Sequence, residues 1–426
     1  MKILVLGGGG REHAIINALA RSPRAPELLC APGNPGIAAL ARCLPDLDPS
    51  EVAAVTATAK EEGVDLVVVG PEAPLVVGVV DALKEAGISA FGPSREAARL
   101  EGSKTYAKQA MEEAGVPTAG YSVVTDSESA LAAIAGSSYP TVLKADGLAA
   151  GKGVLICQTE EEAREAIDIF FTERRFGETE VVIEEFLDGE ELSLLAICDG
   201  DRAIPLAPAQ DYKRIGDGDT GPNTGGMGSY SPVTDIDDET LAGLSALVHQ
   251  PIVDLMANRG HPFHGVLYAG LMMSSNGIKV LEYNTRFGDP ETQAVLPRLE
   301  TDLVDLFEAA CEPGGLAESE VEFSSDWAVT VVLASAGYPE SSSKGDVITG
   351  LEEAAGIAEV VHAGTATAVV DGEQVIVTNG GRVLNLTGTG PDPAAARQRA
   401  YDAAEAINFD GKQMRTDIAT RAVQRA

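Results

Sequence analysis

Over the first hundred residues, short apolar runs alternate with stretches of helical spacing, and this alternation restricts the fold more than any other feature. Residues 2–6 are an apolar run, residues 11–20 carry helical spacing, and residues 65–69 read as a second buried strand. Residues 79–85 then read as a helix ended by Gly87, followed by a third strand at 88–91. Strands spaced by helices predict a parallel, doubly wound sheet. Gly92-Pro93-Ser94 breaks the pattern.

A small α+β lid is predicted next. Its parts are a helix at 103–114 closed by Gly115, strands at 141–144 and 154–157 joined by a glycine-rich connection at 146–153, a helix at 160–171 and a strand at 181–187. From about residue 192 to 300 the strands lengthen. Runs at 265–274 and 278–284 flank Ser275-Asn276-Gly277, a hairpin signal because Asn-Gly supports the positive φ of a tight turn. Residues 209–232 are rich in Gly, Asp, Asn and Thr and too long for a simple connector, so they read as functional or disordered. After Phe323 the chain is β-rich (327–334, 359–362, 367–370, 374–377, 383–387) and ends in a helix at 393–407. The expected units are an N-terminal α/β domain at 1–102, a lid at 103–191, a larger lobe at 192–323 and a β-rich C-terminal domain at 324–426.

Composition excludes some classes. Sixty-five acidic residues against 31 basic give a net charge of −34, which repels nucleic-acid backbones. The acid is dispersed over amphipathic segments, as for a well-solvated surface or a salty cytoplasm. No apolar run reaches the ~18 residues of a membrane span, and the N-terminus does not read as a signal peptide. The five cysteines lie far apart, with no C-x-x-C pair, which fits a reducing cytoplasm.

Four stretches can carry chemistry. Gly7-Gly8-Gly9-Gly10-Arg11-Glu12-His13 follows a strand and opens a helix, where backbone donors can meet a phosphate. The dinucleotide fingerprint fails there, and a purely structural turn fits the same residues. Lys144-Ala145-Asp146-Gly147-Leu148-Ala149-Ala150-Gly151-Lys152-Gly153-Val154 joins strand to strand, unlike a P-loop. It reads as a flap over a triphosphate or as an exposed hairpin with solvated lysines. Ile183-Glu184-Glu185-Phe186-Leu187-Asp188-Gly189-Glu190-Glu191 ends a buried strand and could hold an adenine and its ribose; an acidic strand exit is the plainer reading. In Val280-Leu281-Glu282-Tyr283-Asn284-Thr285-Arg286, alternation places Glu282 and Asn284 on one face as hard oxygen ligands for Mg²⁺. Arg286 continues that face with a fork for phosphate or carboxylate. The five histidines show no metal-ligand spacing and no nucleophile elbow occurs, so the chemistry reads as phosphoryl transfer by positioning and electrostatics.

In order and type these motifs resemble an ATP-grasp enzyme. Gly70-Pro71-Glu72-Ala73-Pro74-Leu75, Gln210-Asp211-Tyr212-Lys213-Arg214, Gly221-Pro222-Asn223-Thr224-Gly225-Gly226-Met227-Gly228 and Arg286-Phe287-Gly288-Asp289-Pro290-Glu291-Thr292-Gln293 narrow the resemblance. They are similar to the phosphoribosylamine–glycine ligase (glycinamide ribonucleotide synthetase) family, from Lys2 to about Arg421 and in its single-function form. The resemblance implies a cytoplasmic, monomeric ligase of purine biosynthesis that joins glycine to 5-phosphoribosylamine through glycyl phosphate. Its lid and larger lobe would be the two ATP-grasp lobes.

The resemblance also implies site residues. Lys104 and Lys144 would bind ATP phosphates, Glu184, Glu185 and Leu187 would frame adenine, and Glu191 or its rival Glu190 would hold ribose. Glu282 and Asn284 would ligate Mg²⁺, with Mn²⁺ as the alternative. Arg286, Asp211, Lys213 and the loop Asn223, Thr224, Gly225, Gly226 and Met227 would surround glycine and the acyl phosphate. Arg286, Asp211 and Lys144 would be the catalytic groups, and Gly9, Gly10, Arg11, Pro71 and Glu72 would face phosphoribosylamine. A carboxylase component using bicarbonate and a nicotinamide-dependent oxidoreductase are the rival readings.

Overall fold

The computed structural model describes residues 1–148, 153–275 and 277–426. Ala149, Ala150, Gly151 and Lys152 of the predicted flap, and Asn276 of the predicted turn, lie outside the described residues.

The N-terminal sheet is parallel, in the order Arg42–Cys43, Glu27–Pro32, Lys2–Gly7, Leu66–Val69, Ser89–Phe91. Its strands are apolar at consecutive positions, so both faces have to be covered. Ile3 and Val5 pack with Ile15 and Leu19 of the helix Gly10–Ala20, while Leu4 and Leu6 pack with Val55, Leu75, Val79 and Leu83 on the other side. The sequence does not announce the helices Val52–Glu62 and Glu72–Val77 or the strand Glu27–Pro32: the first is alanine-rich with little apolar contrast, and the strand ends in proline.

The lid sheet is antiparallel, in the order Tyr121–Val124, Val181–Glu185, Thr141–Ala145, Val154–Cys157. Ala130 and Ile134 of the helix Ser127–Ile134 and Ala163 and Ile167 of Glu160–Ile167 close its core. The helix Lys104–Ala114, expected with the lid, instead buries Ala107, Ala110 and Met111 against the large-lobe sheet. An amphipathic helix announces a buried face but not its partner. That large-lobe sheet is antiparallel: Ala203–Pro205, Glu190–Asp199, His264–Ser274, Gly277–Asn284. The stretch Asp238–Asn258 is long and apolar enough to cross a membrane by length and composition. Its apolar side chains Leu244, Val248, Ile252, Val253 and Met256 are packed in the large-lobe core.

The expected boundary at residue 323 is crossed by a sheet. Gln210–Asp211 and Gly228–Ser231 join Trp327–Ala334, Arg382–Gly390 and Glu359–His362, so two strands of the larger lobe belong to the C-terminal sheet. The helix Pro393–Ala406 covers it through Ala396, Ala400 and Ala403. Residues 209–232 are therefore ordered, and between the two strands they form a hairpin, Arg214–Gly216 with Thr220–Asn223.

Candidate active site

A cleft of about 490 Å³ lies among the lid, the large lobe and both terminal domains. Its apolar walls are Val142, Val154 and Ile156 from the lid and Met272 and Leu281 from the large-lobe sheet, with Leu187 also in the lining. Also in the lining, Glu184 stands between two ammonium groups: Lys108 Nζ is 3.0 Å from its Oε2 and Lys144 Nζ 3.0 Å from its Oε1. The Lys108 and Glu184 side chains are each only 2% exposed, and Lys108 also donates to Thr118 Oγ1 at 2.7 Å. Glu184 thus holds the lysines in place, a role that its position at a strand end did not show.

Several elements bring cations to one end of the cleft. Ser103 caps the helix Lys104–Ala114 by accepting from Tyr106 N–H at 3.1 Å, which fixes Lys104 in the first turn. Lys104 Nζ donates to Gly147 O at 2.9 Å, and burial lowers its pKa against the pull of Glu282. Lys144 Nζ donates to Leu281 O at 3.4 Å. Pairing runs Gly270 to Glu282 and then Leu271 to Val280, so the irregularity skips Leu281 in the ladder and leaves its carbonyl for Lys144.

Glu282 and Asn284 both line the cleft. Burial pushes the Glu282 carboxyl up, but Lys213, Lys144, Lys104 and Arg286 outweigh it and hold the group below its ordinary pKa. Among the described residues no cluster of three or more His, Cys, Asp or Glu could hold a metal. One carboxylate and one amide oxygen, completed by phosphate and water oxygens, is a Mg²⁺ pattern, so this donor pair fits the implied ion.

Arg286 is clamped by carboxylates. Its Nη2 is 2.9 Å from Glu101 Oε1, its Nε 3.3 Å from Glu72 Oε2, and Nη2 also donates to Asn284 Oδ1 at 3.3 Å. Burial opposes its charge, yet Glu101, Glu72 and Glu291 raise its pKa. Glu101, unread from sequence, further accepts from Thr285 N–H at 2.8 Å and so fixes the strand exit.

Asp211 and Lys213 line the cleft on the other side. Burial raises the Asp211 pKa to about 7; Lys213 opposes this and Glu291 and Glu191 reinforce it. Glu291 Oε1 accepts from Tyr268 Oη at 2.7 Å and from Ser193 Oγ at 3.0 Å. Glu191 pairs with Lys213 inside the cleft, whereas Glu190 turns away to Arg425, 2.7 Å from its Nη2. Strand parity thus separates two neighbours that the sequence left in rivalry. Glu185 lines the rim, paired with Lys279 and accepting from Gly120 N–H at 3.1 Å.

Asn223, Thr224 and Gly225 reach the cleft, but Gly226 and Met227 do not line it. Met227 is fully buried. Gly226 has φ +108° and a Cβ there would lie 2.5 Å from Pro290 Cδ, so its task is conformational. Arg382, absent from the sequence reading, enters from the C-terminal sheet, donates to Asp289 O at 2.7 Å and to Gly225 O, and lies 3.2 Å from Asp289 Oδ2. In the N-terminal domain Arg11 and Glu72 line the cleft, whereas Gly9, Gly10 and Pro71 do not. Gly9 N–H is already taken by Glu12 Oε2 at 2.7 Å, and a Cβ on Gly10 would lie 2.6 Å from Asn385 Nδ2 and Gln293 Nε2. At these two glycines the turn makes a cap contact and packs closely.

A lid sheet facing an antiparallel lobe, with two lysines, a Glu-x-Asn strand end and a clamped arginine converging on one cleft, makes this chain an ATP-grasp enzyme of the ligase class. It belongs to the phosphoribosylglycinamide synthetase family, whose N domain matches residues 1–101, ATP-grasp (A) domain 102–292 and C domain 328–421. The phosphoribosylamine–glycine ligase of Streptomyces coelicolor is 52% identical over 427 residues, covering 99% of each chain. A crystal structure of phosphoribosylamine–glycine ligase from Thermotoga maritima has a TM-score of 0.84 at 37% identity, covering 98% of this chain and 100% of that one. The biotin carboxylase domain of a Hydrogenobacter thermophilus 2-oxoglutarate carboxylase has a TM-score of 0.71 at 17% identity over 97% and 91% of the chains, a likeness of fold alone.

Proposed function

We propose that this chain joins glycine to 5-phosphoribosylamine at the expense of ATP, giving glycinamide ribonucleotide, ADP and phosphate in purine biosynthesis. The observation that supports this best is the convergence of Lys104, Lys144, Glu282, Asn284, Arg286 and the loop Asn223, Thr224 and Gly225 on one cleft. The apolar walls take adenine, Glu191 takes ribose, and Lys104 and Lys144 take the phosphates. Glu282 and Asn284 would hold Mg²⁺, which offsets phosphate charge when bound.

The glycine carboxylate attacks the γ-phosphorus, the bond to the ADP oxygen breaks, and glycyl phosphate forms. Arg286 offsets charge on the transferring group. The amine of phosphoribosylamine then attacks the acyl carbon and phosphate leaves. Asp211, whose carboxyl burial makes more basic than an ordinary aspartate, accepts the proton that the amine sheds. A closed lid keeps water from the acyl phosphate. The enzyme acts as a soluble cytoplasmic monomer.

ADP release from MgATP tests the reading, with glycine and freshly generated phosphoribosylamine supplied separately and together. Release is expected only when both are present. Release supported by bicarbonate in their place would overturn the purine assignment.

A further inference from the structure

The hairpin Arg214–Gly216 with Thr220–Asn223 delivers Asn223, Thr224 and Gly225 to the cleft, yet the strand Thr220–Asn223 is itself exposed. An exposed two-stranded hairpin is marginal alone. Its support comes from the far end of the chain. Arg415, whose side chain is fully buried, donates through Nη1 to Arg214 O at 3.1 Å and to Asp219 Oδ1 at 2.8 Å. Its other edge is held by Asp417, with Nε to Oδ1 at 2.7 Å and Nη2 to Oδ2 at 2.6 Å. Asp417 Oδ2 also accepts from Gly218 N–H in the hairpin turn at 2.9 Å.

The guanidinium sits 4.8 Å from the centre of the Tyr212 ring. Tyr212 is buried and lies between Asp211 and Lys213, both of which line the cleft, so one arginine braces both the loop and its root. A lysine cannot make this two-edged set of bonds.

We propose that Arg415 is a positioning residue: through Asp219, Arg214 and Tyr212 it sets the part of the cleft that receives the acceptor-side substrate. The inference rests on the reading of that loop as the glycine side. The test compares Arg415→Lys and Asp219→Asn with the unmodified chain. Asp219 has φ +56°, which asparagine tolerates, and it is half-exposed, so the second variant keeps the fold.

Two readouts are needed. Hydrogen exchange should quicken over residues 214–223 in both variants. The KM for glycine should rise about tenfold or more while the KM for ATP stays within about twofold, since small misplacements remote from the chemistry are costly. Unchanged exchange in Asp219→Asn would overturn the proposal, as would a rise in both KM values together or in neither. If the unmodified chain releases no ADP with glycine and phosphoribosylamine, the functional reading fails separately, and exchange over the hairpin still decides whether Arg415 braces it.

Discussion

Replacing Arg286 by lysine keeps its charge and removes its fork. The guanidinium spans Glu101 at 2.9 Å, Glu72 at 3.3 Å and Asn284 Oδ1 at 3.3 Å, three groups that a single ammonium cannot hold in one plane. Two consequences follow from that geometry. Asn284 loses the donor that aims its amide oxygen, and the transferring phosphoryl group loses a preorganised donor. Loss of one such donor costs roughly 2.7–4 kcal/mol, which is about 10²–10³ in kcat. ADP release at saturating substrates should therefore fall by about that factor in Arg286→Lys, with a smaller change in the KM for ATP. A variant that keeps more than about a tenth of the original kcat would refute the argument that the fork, and not the charge, is what the site uses.

Glu282→Ala should abolish turnover with the fold intact by circular dichroism; near-normal rates at saturating Mg²⁺ would sink the metal assignment. Burial lowers the pKa of His13 to about 3 and of His362 to about 4, and His13 Nδ1 accepts from His362 N–H at 2.8 Å. Both rings stay neutral in the folded chain while the unfolded chain protonates near pH 6.5. Their contribution is thus complete above that pH and drains away as pH falls from about 6.5 toward 3. The thermal midpoint should drop over this range, and less steeply in His13→Asn; equal slopes would dismiss the pair as the cause. With a net charge of −34, self-repulsion should make the chain more stable at molar salt than at low salt. Equal midpoints and rates at both would end the salt-adaptation reading.

Much of this architecture was legible because burial leaves a periodic trace. The first domain could be read because strands covered on both faces, Leu4 and Leu6 toward one helix layer and Ile3 and Val5 toward the other, leave unbroken apolar runs between helices. Glu282, Asn284 and Arg286 could be read because alternate strand residues share a face. What was hidden depends on long-range docking. Nothing local marks Glu101 as the partner of Arg286, Lys108 as the second cation on Glu184, or Arg382 as a visitor from the C-terminal sheet. The choice between Glu190 and Glu191 hung on where the strand Glu190–Asp199 begins, a boundary that an acidic run conceals. The strands Gln210–Asp211 and Gly228–Ser231 are too short for a periodic signal, so their departure to another sheet could not be seen.

That departure has a consequence for how the molecule is made. Gly228–Ser231 cannot pair with Trp327–Ala334 until the ribosome has added roughly a hundred more residues, which takes about 5–20 s at ~5–20 residues per second. Through that interval the glycine-rich hairpin has neither its sheet nor Arg415. The N-terminal sheet and the lid can close early, but the wall of the cleft carrying Asp211 and Asn223 is finished last. A nascent chain arrested before residue 327 would therefore hold most of its nucleotide-side groups and lack the fixed acceptor side.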